Sequence, residues 1–247
     1  MDLLVQTILS QNTTDRNRDQ AYRKLRRRFP TWQQVLAAPA KQVAEAIRPA
    51  GLHRQRAARI QAVLARLAEE RGELSLTFLE QLADQQAAQW LLSLPGVGRK
   101  TAYVVLLFAF GRPLFPVDTH VARVSRRLGL IGQGGDPHAA LGPQVPAGRQ
   151  LEVHLNLIRL GRTVCRAGRP RCAHCPLPDL CRQVASKLSP ALRPLLRGGP
   201  PTAALVRRAG GRTAAATVDR HRLLELVADP GVEFLEPASK LSPKEAT

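Results

Sequence analysis

The chain has 247 residues, 44% of them hydrophobic, which is enough apolar material for one large or two small packed cores. Its 37 Lys and Arg against 19 Asp and Glu leave a net charge of +18. That is too lopsided for an ordinary metabolic enzyme and suits a polyanionic partner, with nucleic acid ahead of an anionic membrane surface.

The longest apolar run, YVVLLFAF at 103 to 110, falls far short of the ~20 residues of a membrane span. The start MDLLVQTIL lacks the basic leader and small-residue cleavage site of a signal peptide, so a cytoplasmic protein with no membrane partner is expected.

From the N-terminus onward, apolar residues recur at helical spacing. Tyr22, Leu25 and Phe29 make one stripe, Ala57, Ile60, Val63, Leu64 and Leu67 a second, and Leu151, His154, Leu155 and Ile158 a third. Pro and Gly punctuate them at Pro30, Pro49 to Gly51, Pro95-Gly96, Gly111 to Pro113 and Gly134 to Pro137. β-alternation is scarce, so the fold class is all-α, built from many short helices. The basic run YRKLRRRF at 22 to 29 reads as the solvated face of an amphipathic helix, with a DNA-tracking surface as the rival reading.

At 94 to 102 stands LPGVGRKTA. Two glycines one residue apart, behind a proline that closes the preceding helix, make a tight hairpin whose amides approach a ligand closely, and the next helix begins at once. Its N-terminus is a natural seat for a phosphate. The GxxxxGK[ST] spacing of a nucleotide loop is absent, and a plain helix-helix turn with a solvated lysine is the competing reading. Asp118 follows in PVDTHVARVSRRLGL near the start of another helix, where an acidic side chain is also a good cap.

All four cysteines, Cys165, Cys172, Cys175 and Cys181, fall in one C-x6-C-x2-C-x5-C stretch. In a reducing compartment such clustering means one metal site rather than disulfides. Zinc sites usually show two close pairs and this stretch has one, which counts against zinc. Beyond about residue 185 the composition shifts to Ala, Arg, Gly, Pro and Leu, the pattern of a poorly ordered tail. HRLLELVADPGVEFLE at 221 to 236 is its one candidate helix, and ASKLSP occurs twice, at 185 to 190 and 238 to 243. Residues 1 to 185 carry +14 of the net charge, so the polyanion signal belongs to the folded part.

ILSQNTTD at 8 to 15, LPGVGRKTA, VDTH at 117 to 120 and the cysteine loop resemble, in order and spacing, the endonuclease III family over about residues 1 to 185. The resemblance implies two helical domains with a DNA cleft between them. The first, at 1 to 112, is barrel-like and carries the helix-hairpin-helix; the second, at 113 to 185, carries the catalytic aspartate and the cluster, and the tail at 186 to 247 lies outside both. The four cysteines match the family's [4Fe-4S] ligands. An N-terminal helix usual in the family has no counterpart, which would leave apolar surface of the second domain exposed or covered by a substitute contact from the tail.

The same resemblance implies a bifunctional DNA glycosylase and abasic-site lyase of base-excision repair, acting as a monomer on double-stranded DNA with oxidised pyrimidines or abasic sites. Lys100 matches the nucleophile and Asp118 the catalytic aspartate. A free lysine, with a pKa near ~10.4, is almost wholly protonated at neutral pH, so the site has to lower that value.

Asn12, with Gln11 beside it, and Leu52, with His53, match the segments that enter the duplex when a base is flipped out. Gly96, Val97, Gly98 and Arg99 match the hairpin on the DNA backbone, and Thr119 and His120 flank the aspartate. Arg166, Arg169 and Arg171 in the cysteine loop form a basic surface for phosphates. Tyr103 stands where the family commonly has a small amide, which puts lesion preference in question.

Three alternatives remain open: a G:U or G:T mismatch glycosylase, a non-catalytic iron-sulfur DNA-binding protein, and an iron-sulfur electron-transfer protein. The last explains the cysteines but neither the hairpin nor the charge.

Overall fold

The structure is a computed structural model and describes residues 1–177, 181, 183, 203–207, 213–217 and 224. The chain divides after Leu114 into two units, the second beginning at Phe115.

In the first unit, α1 (Asp2–Ser10), α2 (Asp15–Arg28), α3 (Trp32–Ala37), α4 (Ala40–Ala46), α5 (His53–Arg71), α6 (Asp84–Leu92) and α7 (Arg99–Phe110) enclose one core. Leu4, Ile8 and Leu9 from α1, Leu25 from α2 and Ala102, Val105 and Leu106 from α7 meet there. The expected α5 stripe of Ala57, Ile60, Val63, Leu64 and Leu67 is buried along its whole length. Each such aliphatic side chain contributes about 1.5–3 kcal/mol on burial.

Local chemistry sets the helix ends. Thr14 caps α2 by accepting from the Asn17 amide at 3.3 Å, and Asp15 in the first turn with Arg26 to Arg28 in the last follow the helix dipole. Arg23, Lys24, Arg27 and Arg28 of the basic run are exposed. Tyr22 packs on the core and donates to Asp2 at 2.7 Å; burial first, and then that bond, push its phenol up to about 12. Thr31 and Gln34 form a capping box on α3.

Gly72 ends α5 in the left-handed region at φ 71°, returning its amide to Ala68 O at 2.9 Å. Beyond α7, Arg112 donates to the carbonyls of Leu79, Glu80 and Leu82 at 3.1, 2.9 and 3.0 Å and pairs with Asp84 at 2.8 Å. It thereby satisfies the open end of the 3₁₀ turn Thr77–Gln81.

In the second unit, α8 (Thr119–Leu128), α9 (Pro137–Leu141) and α10 (Gln150–Thr163) pack around Val121, Val124, Leu128, Leu141, Val153, Leu157 and Ile158. His154 is fully buried, with Nδ1 3.0 Å from Pro116 O and its ring edge-on to Phe115 at 5.8 Å. The third expected stripe needs one correction. His154, Leu155 and Ile158 are buried, but Leu151 is 40% exposed. It sits in the first turn of α10, where it faces away from the core.

The helical expectation holds through residue 177. β1 (Ala203–Arg207) pairs antiparallel with β2 (Thr213–Thr217), Leu205 opposite Ala215. Glycine-rich RAGGR separates two short runs with Val and Thr, residues that suit a pleated hairpin, and a purely compositional reading of this stretch as coil missed it. The candidate helix at 221 to 236 lies, apart from Leu224, outside the described residues. Leu224 is fully buried within the core of the second unit.

Candidate functional site

The hairpin between α6 and α7 is built as its sequence dictates. Gly96 takes φ 74°, Val97 N returns to Leu94 O at 3.2 Å, and Gly98 stands at the N-cap of α7 with no side chain to cover the first turn. Gly96, Gly98 and Arg99 are exposed, while Val97 is 5% exposed and belongs to the core. Val97 therefore contributes to the hairpin surface through its backbone, as a turn whose amides approach a ligand requires. It anchors the hairpin, and only its backbone faces the loop. Lys100, the second residue of α7, and Tyr103 one turn later are both half-buried.

Two further turns of the first unit join this hairpin. Asn12 and Leu52 are the non-glycine residues with positive φ among the described residues, at 52° and 45°, and both are exposed, Leu52 by 59%. A β-carbon in that region costs on the order of 1–2 kcal/mol. An exposed leucine held so recovers none of it by packing. Gln11, by contrast, is turned inward: Nε2 donates to Gly96 O at 3.2 Å and Oε1 accepts from Arg59 at 3.3 Å. Of the pair proposed from sequence, Asn12 is the one presented outward. His53, the first residue of α5, is half-buried.

Sequence reasoning passed over the residues that tie these turns together. Arg56 is 1% exposed and donates to the carbonyls of both Ala50 and Gln11. Burial first, then neighbouring Arg59, hold its guanidinium below the usual arginine range. Arg59 lies beneath the hairpin, where a β-carbon at Gly96 would come within 2.5 Å of its Cδ. Arg66 adds a donor to Ser93 O at 2.7 Å. Their signal in the sequence is an arginine on the inner face of a helix otherwise lined by aliphatic residues.

In the second unit Asp118 is the N-cap of α8, its Oδ1 accepting from Val121 N at 2.7 Å. Thr119 is exposed. His120 packs its ring against Gly161, whose place a β-carbon would take at 2.9 Å from His120 Cβ. Burial chiefly lowers its pKa from 6.5, opposed by Asp118 and helped by Arg123 and Arg162.

One and two turns further along α8, Arg123 and Arg127 clasp the cysteine loop. Arg123 donates to Gly161 O at 2.8 Å and to Cys165 O at 3.1 Å; Arg127 donates to Arg166 O at 2.7 Å and Ala167 O at 2.8 Å and lies 3.4 Å from Cys165 Sγ. The helix capped by Asp118 thus also carries the loop of the first cysteine. Arg166, Arg169 and Arg171 are exposed around it.

Cys165, Cys172, Cys175 and Cys181 line one cavity of about 140 Å³, walled by Val124, Leu128, Leu160 and Val164. Burial first, with a smaller contribution from the other three cysteines, pushes the Cys175 thiol up to about 11. Among the described residues, no three His, Cys, Asp or Glu side chains close round a single ion. Four cysteines lining one largely apolar cavity are a donor set that fits an iron-sulfur cluster.

Comparison with known proteins agrees with this arrangement. Residues 5–140 match the HhH-GPD superfamily of base excision DNA repair proteins. Endonuclease III of Bacillus subtilis is 37% identical over 185 residues, covering 74% of this chain and 80% of that protein. Endonuclease III of Thermotoga maritima is 34% identical over 181 residues, 72% and 81% respectively. Among solved structures, a trapped endonuclease III–DNA covalent intermediate superposes with a TM-score of 0.66 at 34% identity, covering 76% of this chain and 85% of the other. The described residues contain no helix long and apolar enough to cross a membrane. This chain belongs to the endonuclease III family of base-excision DNA repair enzymes.

Proposed function

We propose that the chain is a bifunctional glycosylase and abasic-site lyase that removes oxidised pyrimidines from double-stranded DNA. The observation that carries this reading is the placement of Lys100 in the first turn of α7, directly behind the Pro95 to Gly98 hairpin. The hairpin holds a backbone phosphate while the flipped nucleotide stands within reach of an amine. That the similar endonuclease III chain has been trapped as a covalent DNA intermediate supports the same chemistry here.

In this reading the neutral Lys100 amine attacks C1′, the glycosidic bond breaks, and the base departs with the bonding electrons and is protonated by water. Asp118 offsets the positive charge that develops on the sugar and accepts the proton lost by the amine. The ring opens to an imine between Lys100 Nζ and C1′. Loss of a C2′ proton then expels the 3′ phosphate by β-elimination, and water releases the lysine.

Asn12 and Leu52 fill the space left by the extruded nucleotide, with Arg99, His53, Thr119 and His120 along the backbone path. Tyr103, one turn from Lys100, limits the size of base that fits. The four cysteines would hold a [4Fe-4S] cluster, which supplies cross-linking of the loop that presents Arg166, Arg169 and Arg171 to phosphates.

The test is borohydride trapping on a duplex with one thymine glycol, beside an abasic duplex, with Lys100→Ala in parallel. Adducts on both that vanish in the variant are expected. An adduct on the abasic duplex alone moves the substrate to another base. No adduct on either, with tight DNA binding kept, overturns the lyase reading in favour of a non-catalytic binder.

A further inference from the structure

The two strained, exposed residues of the first unit share one anchor. Asn12 follows Gln11, whose backbone carbonyl accepts from Arg56. Leu52 stands two residues after Ala50, whose carbonyl accepts from the same guanidinium. Arg56 is buried to 1% exposure, and its guanidinium bonds both of these turns.

One helical turn along α5, Arg59 holds the Gln11 side chain, and the Gln11 amide reaches the hairpin at Gly96 O. Gly96 in turn rests on the Arg59 stem so closely that only glycine fits. Three turns far apart in sequence, at 11 to 12, 50 to 52 and 95 to 98, are thus bolted to one face of one helix.

A guanidinium suits this task because its planar fork of five donors reaches two carbonyls at once, which an ammonium on a flexible stem does not fix in direction. The charge is buried against backbone carbonyls, an expensive arrangement for packing alone, since an apolar side chain of similar volume would fill the space. The cost is understandable if the product is geometry. A left-handed leucine on the surface persists only where its surroundings over-determine it.

We propose that Arg56, with Arg59, is a positioning clamp that holds Asn12 and Leu52 in their left-handed conformations and locks both to the hairpin, so that gripping the backbone and filling the vacated base stack occur as one rigid event. This rests on the glycosylase reading above and adds to it which residues set the wedge. The clamp touches neither the reacting sugar nor the base.

The experiment compares trapping rates of the full chain, Arg56→Met and Arg56→Lys on an abasic site in a duplex and on the same site in a single strand, where no stack has to be filled. Binding to an abasic duplex carrying 2-aminopurine opposite the site reports wedge insertion as a fluorescence rise. Arg56→Met is expected to lose about a hundredfold on the duplex, the scale of a misplaced positioning group, and the fluorescence rise with it, while the single-strand rate stays within about twofold.

Arg56→Lys keeps the charge and one carbonyl; it should show a smaller loss confined to the duplex, and it carries the test if the methionine variant does not fold. Equal losses on both substrates, or wild-type behaviour with an unchanged fluorescence rise, would overturn the clamp. Failure of the unaltered chain to trap on either substrate overturns the glycosylase reading itself, and the clamp's role with it.

Discussion

Replacing Asp118 by Asn separates the helix cap this side chain forms from the catalytic role proposed for it. Its Oδ1 accepts from Val121 N at 2.7 Å, so it caps α8. Asparagine caps as well as aspartate, and the change removes only the interaction of the negative charge with the helix dipole, about 0.3–1 kcal/mol. For a chain of this size that lowers Tm by no more than about 4 °C. Asp118→Ala loses the cap as well, about 1 kcal/mol more and another 2–4 °C.

Catalysis should rank the variants differently. Both lack the charge that meets the developing sugar cation, so both should lose base excision by about 10²–10⁴-fold. Cleavage at a preformed abasic site, where no base has to leave, should suffer less. The assay is differential scanning fluorimetry beside single-turnover rates on lesion and abasic duplexes. Asp118→Asn with near wild-type excision, or as unstable as Asp118→Ala, would refute the assignment.

Other outcomes follow from the same structure. Gly96→Ala places a β-carbon 2.5 Å from Arg59 Cδ at φ 74°, so it should weaken DNA binding and destabilise by about 1–3 kcal/mol, read by Tm and a binding titration. Leu224→Ala empties a fully buried site in the second core and should cost about 2–5 kcal/mol in chemical denaturation.

Cys175→Ser should abolish the visible absorbance of iron-loaded protein and raise the protease sensitivity of the 165 to 181 loop, with trapping of an abasic single strand as the control for the first unit. His120, facing Asp118, Arg123, Arg162 and the Gly161 backbone, has a folded pKa below its unfolded value of 6.5. Its contribution is therefore present above that value and lost as pH falls through the folded pKa. Tm should decline as pH falls below 6.5, and less so in His120→Asn.

What the sequence revealed was whatever depends on neighbours within one or two turns. The α5 stripe, the glycine hairpin and the cap at Asp118 are local patterns, and each is present where the spacing puts it. That the Val97 side chain turns into the core was not legible, because burial within a hairpin depends on the core beneath it.

The resemblance gives the wedge position to Asn12 with Gln11 beside it, but what Gln11 does instead was not legible, because its bonds to Gly96 and Arg59 are long-range. Arg56, Arg123 and Arg127 left almost no trace, because their partners are backbone carbonyls of distant residues, and a carbonyl has no identity in a sequence. Leu151 belonged to a stripe by period alone, and the first turn of α10 lets it face outward.

The burial of Leu224 bears on the order in which the protein is made. Among the described residues, the first core draws on positions up to Leu114, so it can close while the ribosome is still translating the second unit. The second core is incomplete until residue 224 has left the exit tunnel. Chains emerge from the ribosome at roughly 5–20 residues per second, so the second core waits several seconds for Leu224 after the cysteine loop has been made. Early termination of synthesis would leave a chain with a finished hairpin and an open second core.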